Sequence, residues 1–172
     1  KTHNLIPRKH QVRPTSEREF VSSRHFPEEV QGDLLINNTN GFLGMKQHQV
    51  EDDSTGYKFD LRHDLVTGQD QNFRPVDMEF APDGSLYLVD WNNVLIRHMQ
   101  HKARDPLRDH VHGRIYRVTY PSRPLVEPAE VAGASISTLL DNLKLPEYRT
   151  RYRTRRELRG RYTDEVLATL KT

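Results

Sequence analysis

Two parts of the chain carry the same order of apolar and polar signals. Residues 26–38 and 80–91 each begin with Phe and a nearby Pro, pass through a polar turn that ends in Gly, and continue into a short apolar run that closes on Asp or Asn. Gly32 and Gly84 mark the two turns and lie 52 residues apart. Short strands and Gly turns that repeat at about this spacing are typical of β-propeller blades. The alternative is two unrelated hairpins, since Asp-Gly between apolar residues is a common hairpin signal.

A second alternating segment follows each of these units. Residues 41–50 and 113–120 alternate large apolar with polar side chains, which predicts strands with one buried face. Because a propeller needs about four to eight blades, two blades cannot close a ring. The chain also begins with Lys1 rather than Met. We therefore expect a mainly β fragment of a longer protein, with residues 1–120 forming the last two or so blades of a β-propeller.

The remainder of the chain predicts a short α-helical tail. The Pro-rich residues 121–134 read as a linker, and residues 135–172 as a helical segment in which Ser135 caps a short helix and Pro146 starts a longer one. Residues 144–172 contain nine basic and four acidic side chains, a net charge of +5, while the rest of the chain has a net charge of −3. Arginines on a helix can bind nucleic acid, but these do not form one stripe, so a solvated or interdomain helix is favoured.

Several runs of residues together resemble one bacterial family. They are residues 22–32, 72–77, 90–93, 98–101 and 104–120. The resemblance is to the "membrane-bound dehydrogenase" family of Planctomycetes and Verrucomicrobia, whose propeller is similar to those of sorbosone and soluble quinoprotein glucose dehydrogenases. It implies an oxidoreductase with a six-bladed propeller that acts on a sugar or alcohol and passes electrons to a haem domain elsewhere in the parent protein. It also implies an extracytoplasmic (periplasmic or membrane-associated) location and a helical-repeat region after the propeller.

The same resemblance implies a cofactor site for pyrroloquinoline quinone. The quinoprotein motif Arg-x-Arg-Asp matches Arg74 and Asp77, while Val76 stands in place of the second Arg. A further basic residue of those enzymes falls near Asn40, which has no charge. Quinone carboxylates need cationic partners, so these two differences weaken the match. The alternative for Arg74 is an ion pair with Asp77 or Asp90.

Two residues at the end of the second apolar strand are candidates for substrate binding. Trp91 could stack on a sugar ring, and Asp90 precedes it. The alternatives are that Trp91 packs against a neighbouring blade and that Asp90 turns the loop. The catalytic base of the related enzymes is a His in an early blade, outside this chain, so the sequence identifies no catalytic residue and leaves the enzyme assignment open.

Four histidines offer a weaker candidate for a metal site. His98, His101, His110 and His112 lie close together with Asp105 and Asp109, a ligand set suited to Zn, Cu or Fe. Nearby arginines oppose a cation, and a loop tied by Arg and Asp ion pairs is favoured. Residues 51–56 lack the ligand pattern of an EF-hand and predict a hairpin loop.

Composition limits the remaining choices. The chain has no Cys, which excludes a disulfide framework, a thiolate metal site and c-type haem attachment within it. No apolar run approaches about 18 residues, so the sequence predicts no membrane span. Three function classes stay open: a sugar or alcohol dehydrogenase, a non-catalytic propeller that binds glycans or protein partners, and a metal-dependent hydrolase or lyase. The first is preferred on the resemblance.

Overall fold

The structure, a computed structural model, describes residues 15–93, 104–106 and 108–170. These residues form seven β-strands followed by three α-helices. The strands are β1 Thr15–Phe20, β2 Leu34–Asn38, β3 Gly44–Asp53, β4 Gly56–Thr67, β5 Pro75–Phe80, β6 Leu86–Asp90 and β7 Arg114–Val118. The helices are α1 Ile136–Asn142, α2 Tyr148–Arg159 and α3 Thr163–Leu170. The prediction of a mainly β chain with a short helical tail is confirmed.

The strands form two antiparallel sheets in which sequence neighbours are also spatial neighbours. The first sheet has the order β1-β2-β3-β4 and the second the order β5-β6-β7. In the first, Leu34 pairs with His48 across β2 and β3. In the second, Leu86 pairs with Val118 across β6 and β7. The predicted hairpin loop at residues 51–56 is confirmed, since β3 and β4 meet there in a tight turn.

Both predicted glycine turns are present. Gly32 and Gly84 adopt φ angles of +82° and +83°, a region that side chains disfavour. At the second turn, the N–H of Gly84 donates to the carbonyl of Ala81 at 2.9 Å, and the N–H of Ala81 donates to the carbonyl of Ser85 at 2.8 Å. A Cβ at position 84 would lie 2.6 Å from Oγ of Ser23. Position 84 therefore needs glycine for two reasons: its backbone has a positive φ, and there is no space for a Cβ.

The two sheets differ in how much of their surface is buried. Every residue of β2 is buried, whereas β6 alternates between buried and exposed residues. Leu86 and Leu88 on one face of β6 are fully buried, while Tyr87 and Val89 on the other face are exposed. The alternation follows from the side-chain period of two in a strand. The second sheet consequently has one face in the core and one face open.

The chain divides into two compact units by its contacts. The first contains residues 15–21, 30–79 and 86–118 among those described, and so holds nearly all of both sheets. The second contains residues 22–29, 80–85 and 119–170. In the second unit, Nδ1 of the buried His25 donates to the carbonyl of Pro124 and Nε2 accepts from the N–H of Tyr120, each at 2.9 Å. These two bonds fix the neutral tautomer with the proton on Nδ1.

The helices begin near the predicted residues. Ser135 caps α1, where its Oγ accepts a hydrogen bond from the N–H of Thr138 at 3.1 Å, which confirms the predicted cap. The arginine-rich α2 starts two residues after Pro146, and Glu147 at its start accepts a 2.7 Å bond from Nε of Arg24. Residues 121–134, the predicted linker, contain no helix or strand. Among the described residues, no helix is both long and apolar enough to cross a membrane.

Candidate functional site

The end of β6 is held by the carboxylate of Asp90, which is 0% exposed. Its Oδ1 accepts hydrogen bonds from the backbone N–H groups of Arg74 at 2.7 Å and Asn92 at 2.9 Å. Its Oδ2 accepts a bond from Nε of Arg114 at 2.6 Å. Asp90, which the sequence offered as a substrate contact, thus lies beneath the surface and supports the turn that carries Trp91.

Arg114 joins this carboxylate to a second one. A second nitrogen of its guanidinium, Nη1, donates to Oδ2 of Asp70 at 2.6 Å. The hydrogen bond with Asp70 and the interactions with Asp90 raise the pKa of Arg114. The pKa of Asp70 is lowered by the N–H of Asn72 and then by Arg114. Arg114 therefore bonds two carboxylates and helps to fix the end of β6.

Asp109 organises the loop that faces Trp91. Its Oδ1 accepts bonds from the N–H groups of Val111 and His112, each at 2.9 Å. These two bonds hold the pKa of Asp109 below its ordinary value, and Nδ1 of His112 adds a further contact at 3.0 Å. The side chain of Asn92 donates to Oδ2 of Asp109 at 3.3 Å. Hydrogen bonds to this one carboxylate, from two backbone N–H groups and two side chains, therefore hold the loop in place.

A cavity of about 470 Å³ lies between this loop and the end of β6. Its described lining consists of Trp91, Asn93 and residues 108–113. The guanidinium carbon of Arg108 lies 5.3 Å from the centroid of the Trp91 ring, a cation–π distance. Arg108 is only 6% exposed. The cavity therefore combines an aromatic face with a nearly buried positive charge.

The two residues matched to a quinone site, Arg74 and Asp77, differ in their surroundings. Arg74 is buried, and burial lowers its pKa, while the nearby carboxylates of Asp90 and Asp70 act in the opposite direction. Asp77 is exposed and its Oδ1 accepts a 2.8 Å bond from the N–H of Met78.

Of the four metal candidates, His110 and His112 fall within the described residues. Both are exposed, and His112 bonds Asp109. His98 and His101 lie outside the described residues. Within the described part of the chain, no three His, Asp or Glu side chains are grouped as metal ligands would be.

The sequence reasoning missed Arg108 and Asn93 as cavity residues. The sequence contains a signal for the turn next to Arg108 but none for the cavity itself. Asp109 is followed by His-Val-His-Gly, and Asp often accepts hydrogen bonds from backbone N–H groups two or three residues later. That pattern predicts a turn at 109–112. It does not predict that Arg108 is buried beside Trp91, because Trp91 is 17 residues earlier in the chain.

Comparisons with known proteins give one match. The model of a family described as a domain of unknown function, DUF7133, matches residues 3–122. That match includes both sheets and the described lining of the cavity. No curated protein and no solved structure matches the chain.

Proposed function

The chain belongs to the DUF7133 family, a domain of unknown function, and we propose that it forms two neighbouring blades of a β-propeller that bind a sugar or related polyol in the cavity beside Trp91. The observation that carries the proposal is the meeting of Trp91, Arg108 and Asn93 at one cavity. The propeller and the ligand are supported by different features of the molecule.

The repeated strand order supports the propeller. A propeller blade is a four-stranded antiparallel sheet whose strands follow one another. The sheet β1-β2-β3-β4 has this form, and β5-β6-β7 repeats its first three strands. The turn glycines Gly32 and Gly84 occupy equivalent places before the second strand of each sheet.

The uneven burial of the two sheets supports further blades. With the turn glycines superimposed, Leu35 and Asn37 of β2 correspond to Tyr87 and Val89 of β6. The first two are 1% and 0% exposed, and the second two are 39% and 37% exposed. In a ring of blades each internal sheet is covered on both faces. We infer that the exposed face of the second sheet, which also carries Ile115, packs against a further blade of the same propeller.

The shape and chemistry of the cavity support a sugar ligand. Small-molecule sites have volumes of about 300–1,000 Å³ and combine apolar walls with a few polar groups. Trp91 offers an apolar ring for the C–H face of a sugar, and Asn93 and Arg108 lie at the same cavity. Asp90 fixes the turn that carries Trp91, and the carbonyl of Asp109 accepts a hydrogen bond from Nδ2 of Asn93 at 3.2 Å, so the site is formed before a ligand arrives.

Our second proposal is that the full-length protein oxidises the bound sugar. Its support is the resemblance to the dehydrogenase family, which also implies pyrroloquinoline quinone, a haem domain and an extracytoplasmic location. The burial of Arg74 favours a structural role for that residue, so any quinone would be held chiefly by other blades. The catalytic base would likewise come from outside this chain.

A titration of the full-length protein tests the sugar site. We expect calorimetry with a panel of aldoses and polyols to detect binding that Trp91→Ala abolishes. Tyr57→Ala is the matched control, since Tyr57 is an exposed aromatic residue on the β3–β4 hairpin. Binding that survives Trp91→Ala, or no binding by the wild-type protein, would contradict the proposal. Dye-coupled turnover of a bound sugar, measured with and without the quinone, tests the oxidation separately.

A further inference from the structure

Strands β3 and β4 extend past the rest of the first sheet. Strands β2 and β3 pair as far as Leu34 and His48, and beyond this point β3 pairs with β4 alone. Residues 49–60 therefore form a ribbon of five residue pairs and a turn, which we call the acidic arm. Residues 51–58 are all exposed. A two-stranded ribbon is only marginally stable by itself in water, so the arm gains stability when it packs against another surface.

The acidic arm carries an excess of negative charge. It contains four acidic side chains and one basic side chain, a net charge of −3. The acidic ones are Glu51, Asp52, Asp53 and Asp60, and the basic one is Lys58. Lys58 forms ion pairs with Glu51 and Asp60. Within the described part of the chain, no basic side chain bonds Asp52 or Asp53, so carboxylates with no bonded cation lie near the end of the arm.

The exposed side of α2 carries the opposite charge. The helix buries Thr150 and Thr154, which lie one turn apart. Five residues of α2 are exposed, and all are tyrosine or arginine: Tyr148, Tyr152, Arg155, Arg156 and Arg159. We call them the basic stripe, and its net charge is +3. The sequence spreads arginine around this helix, and the burial of the two threonines shows which arginines share the exposed side.

The arginines of the basic stripe can accept acidic partners. The guanidinium carbons of Arg155 and Arg156 lie 5.9 Å from the ring centroids of Tyr148 and Tyr152, respectively. Such a contact uses the face of the guanidinium and leaves the N–H groups of its edge able to bond a carboxylate. Among the residues that the structure describes, no carboxylate bonds an arginine of the stripe. Like charges four residues apart on a helix repel, so carboxylates at the stripe would also relieve the repulsion between its arginines.

We propose that the acidic arm binds the basic stripe of a second copy of this chain. The two surfaces have equal and opposite charges, −3 and +3. Their lengths also match, because the five residue pairs of the arm extend over about 17 Å and the 12 residues of α2 over about 18 Å. Tyrosine and arginine are enriched at protein interfaces, and Tyr57 of the arm is 63% exposed.

An exchange of arms closes the assembly at two copies. When each copy places its arm on the other copy's stripe, the same contact forms twice around a two-fold axis. The dimer then has two charge-complementary contacts, and neither surface is left to bind a third copy. This inference is independent of the sugar site.

Sedimentation velocity of the full-length protein tests the dimer. We expect a concentration-dependent dimer at about 0.05 M salt, with a dissociation constant about tenfold or more higher at about 0.5 M salt, because salt screens exposed charges. Two charge reversals should each raise the dissociation constant about tenfold or more. They are Asp52→Lys with Asp53→Lys in the arm, and Arg155→Glu with Arg159→Glu in the stripe. Glu127→Lys with Glu130→Lys is the matched control, since it makes the same change of charge as the arm variant at exposed residues outside both surfaces.

A mixture of the two reversed variants gives the sharpest test. Each variant alone places like charges against each other, whereas a mixed dimer has opposite charges at both contacts. We expect the mixture to associate about tenfold or more tightly than either variant alone. If a reversed variant does not fold, Asp52→Asn with Asp53→Asn removes the charge without reversing it and should still raise the dissociation constant. A wild-type protein that stays monomeric at low salt, a control that weakens the dimer as much as the arm variant, or a mixture that does not associate would overturn the proposal.

Discussion

Two aspartates bond the same guanidinium at the same distance but differ in burial. Asp90 and Asp70 each lie 2.6 Å from a nitrogen of Arg114. The side chain of Asp90 is 0% exposed, whereas that of Asp70 is 49% exposed. We therefore compare Asp90→Asn with Asp70→Asn, two changes that remove one charge and preserve the shape of the side chain.

The expected loss at Asp90 follows from its three bonds. An Asn at position 90 keeps one accepting oxygen and directs an amide N–H₂ at either Arg114 or the two backbone donors. In one orientation Arg114 loses its acceptor, and in the other the two backbone N–H groups lose theirs. In both orientations Arg114 loses the buried negative charge of Asp90. Such losses cost about 3 kcal/mol in the free energy of unfolding. At Asp70 water replaces the carboxylate, so we expect little change.

Urea denaturation of the chain measures the difference. Far-UV circular dichroism follows the sheets, and the fluorescence of Trp91, the single tryptophan of the chain, follows the residue next to Asp90. We expect the midpoint of Asp90→Asn to fall by roughly 1 to 3 M urea and that of Asp70→Asn to stay near the wild-type value. Equal midpoints for the two variants would refute the reasoning, because burial would then have no effect on the strength of this pair.

Three further predictions concern other parts of the molecule. Gly84→Ala should reduce the thermal midpoint much more than Gly133→Ala. Both glycines have positive φ, but only at position 84 would a Cβ meet other atoms. Equal shifts for the two variants would contradict this. His25→Leu should lower the free energy of unfolding, measured with urea, by about 2 to 4 kcal/mol, because the carbonyl of Pro124 and the N–H of Tyr120 both lose their hydrogen bond to His25. A change near zero would contradict the assigned bonds. The lowered pKa of Asp109 means that its bonds stabilise the loop above its ordinary pKa and are lost as pH falls through the lower, folded value. Trp91 fluorescence should therefore change on acidification in the wild type, and Asp109→Asn should show the acid signal at neutral pH.

Features with local causes could be predicted from the sequence. The turns at Gly32 and Gly84, the hairpin at residues 51–56 and the cap at Ser135 each depend on a few neighbouring residues. The alternation of apolar residues likewise predicted the strands that follow each turn. All of these signals lie within about ten residues of the structure that they specify.

The partners of the site residues could not be predicted in the same way. Asp90 bonds Arg114, which is 24 residues later, and Arg108 lies beside Trp91 across a loop. These contacts depend on the register of β6 with β7 and on the turn around Asp109. The match of Arg74 and Asp77 with the quinoprotein motif rests on the resemblance alone and stays a prediction.

A crystal structure of the full-length protein with a bound sugar would test the proposed propeller and its sugar site most directly. We expect a closed ring in which another blade covers Tyr87, Val89 and Ile115, with the sugar ring on Trp91. A structure in which that sheet face is open to solvent, or in which the sugar binds away from Trp91, would contradict it.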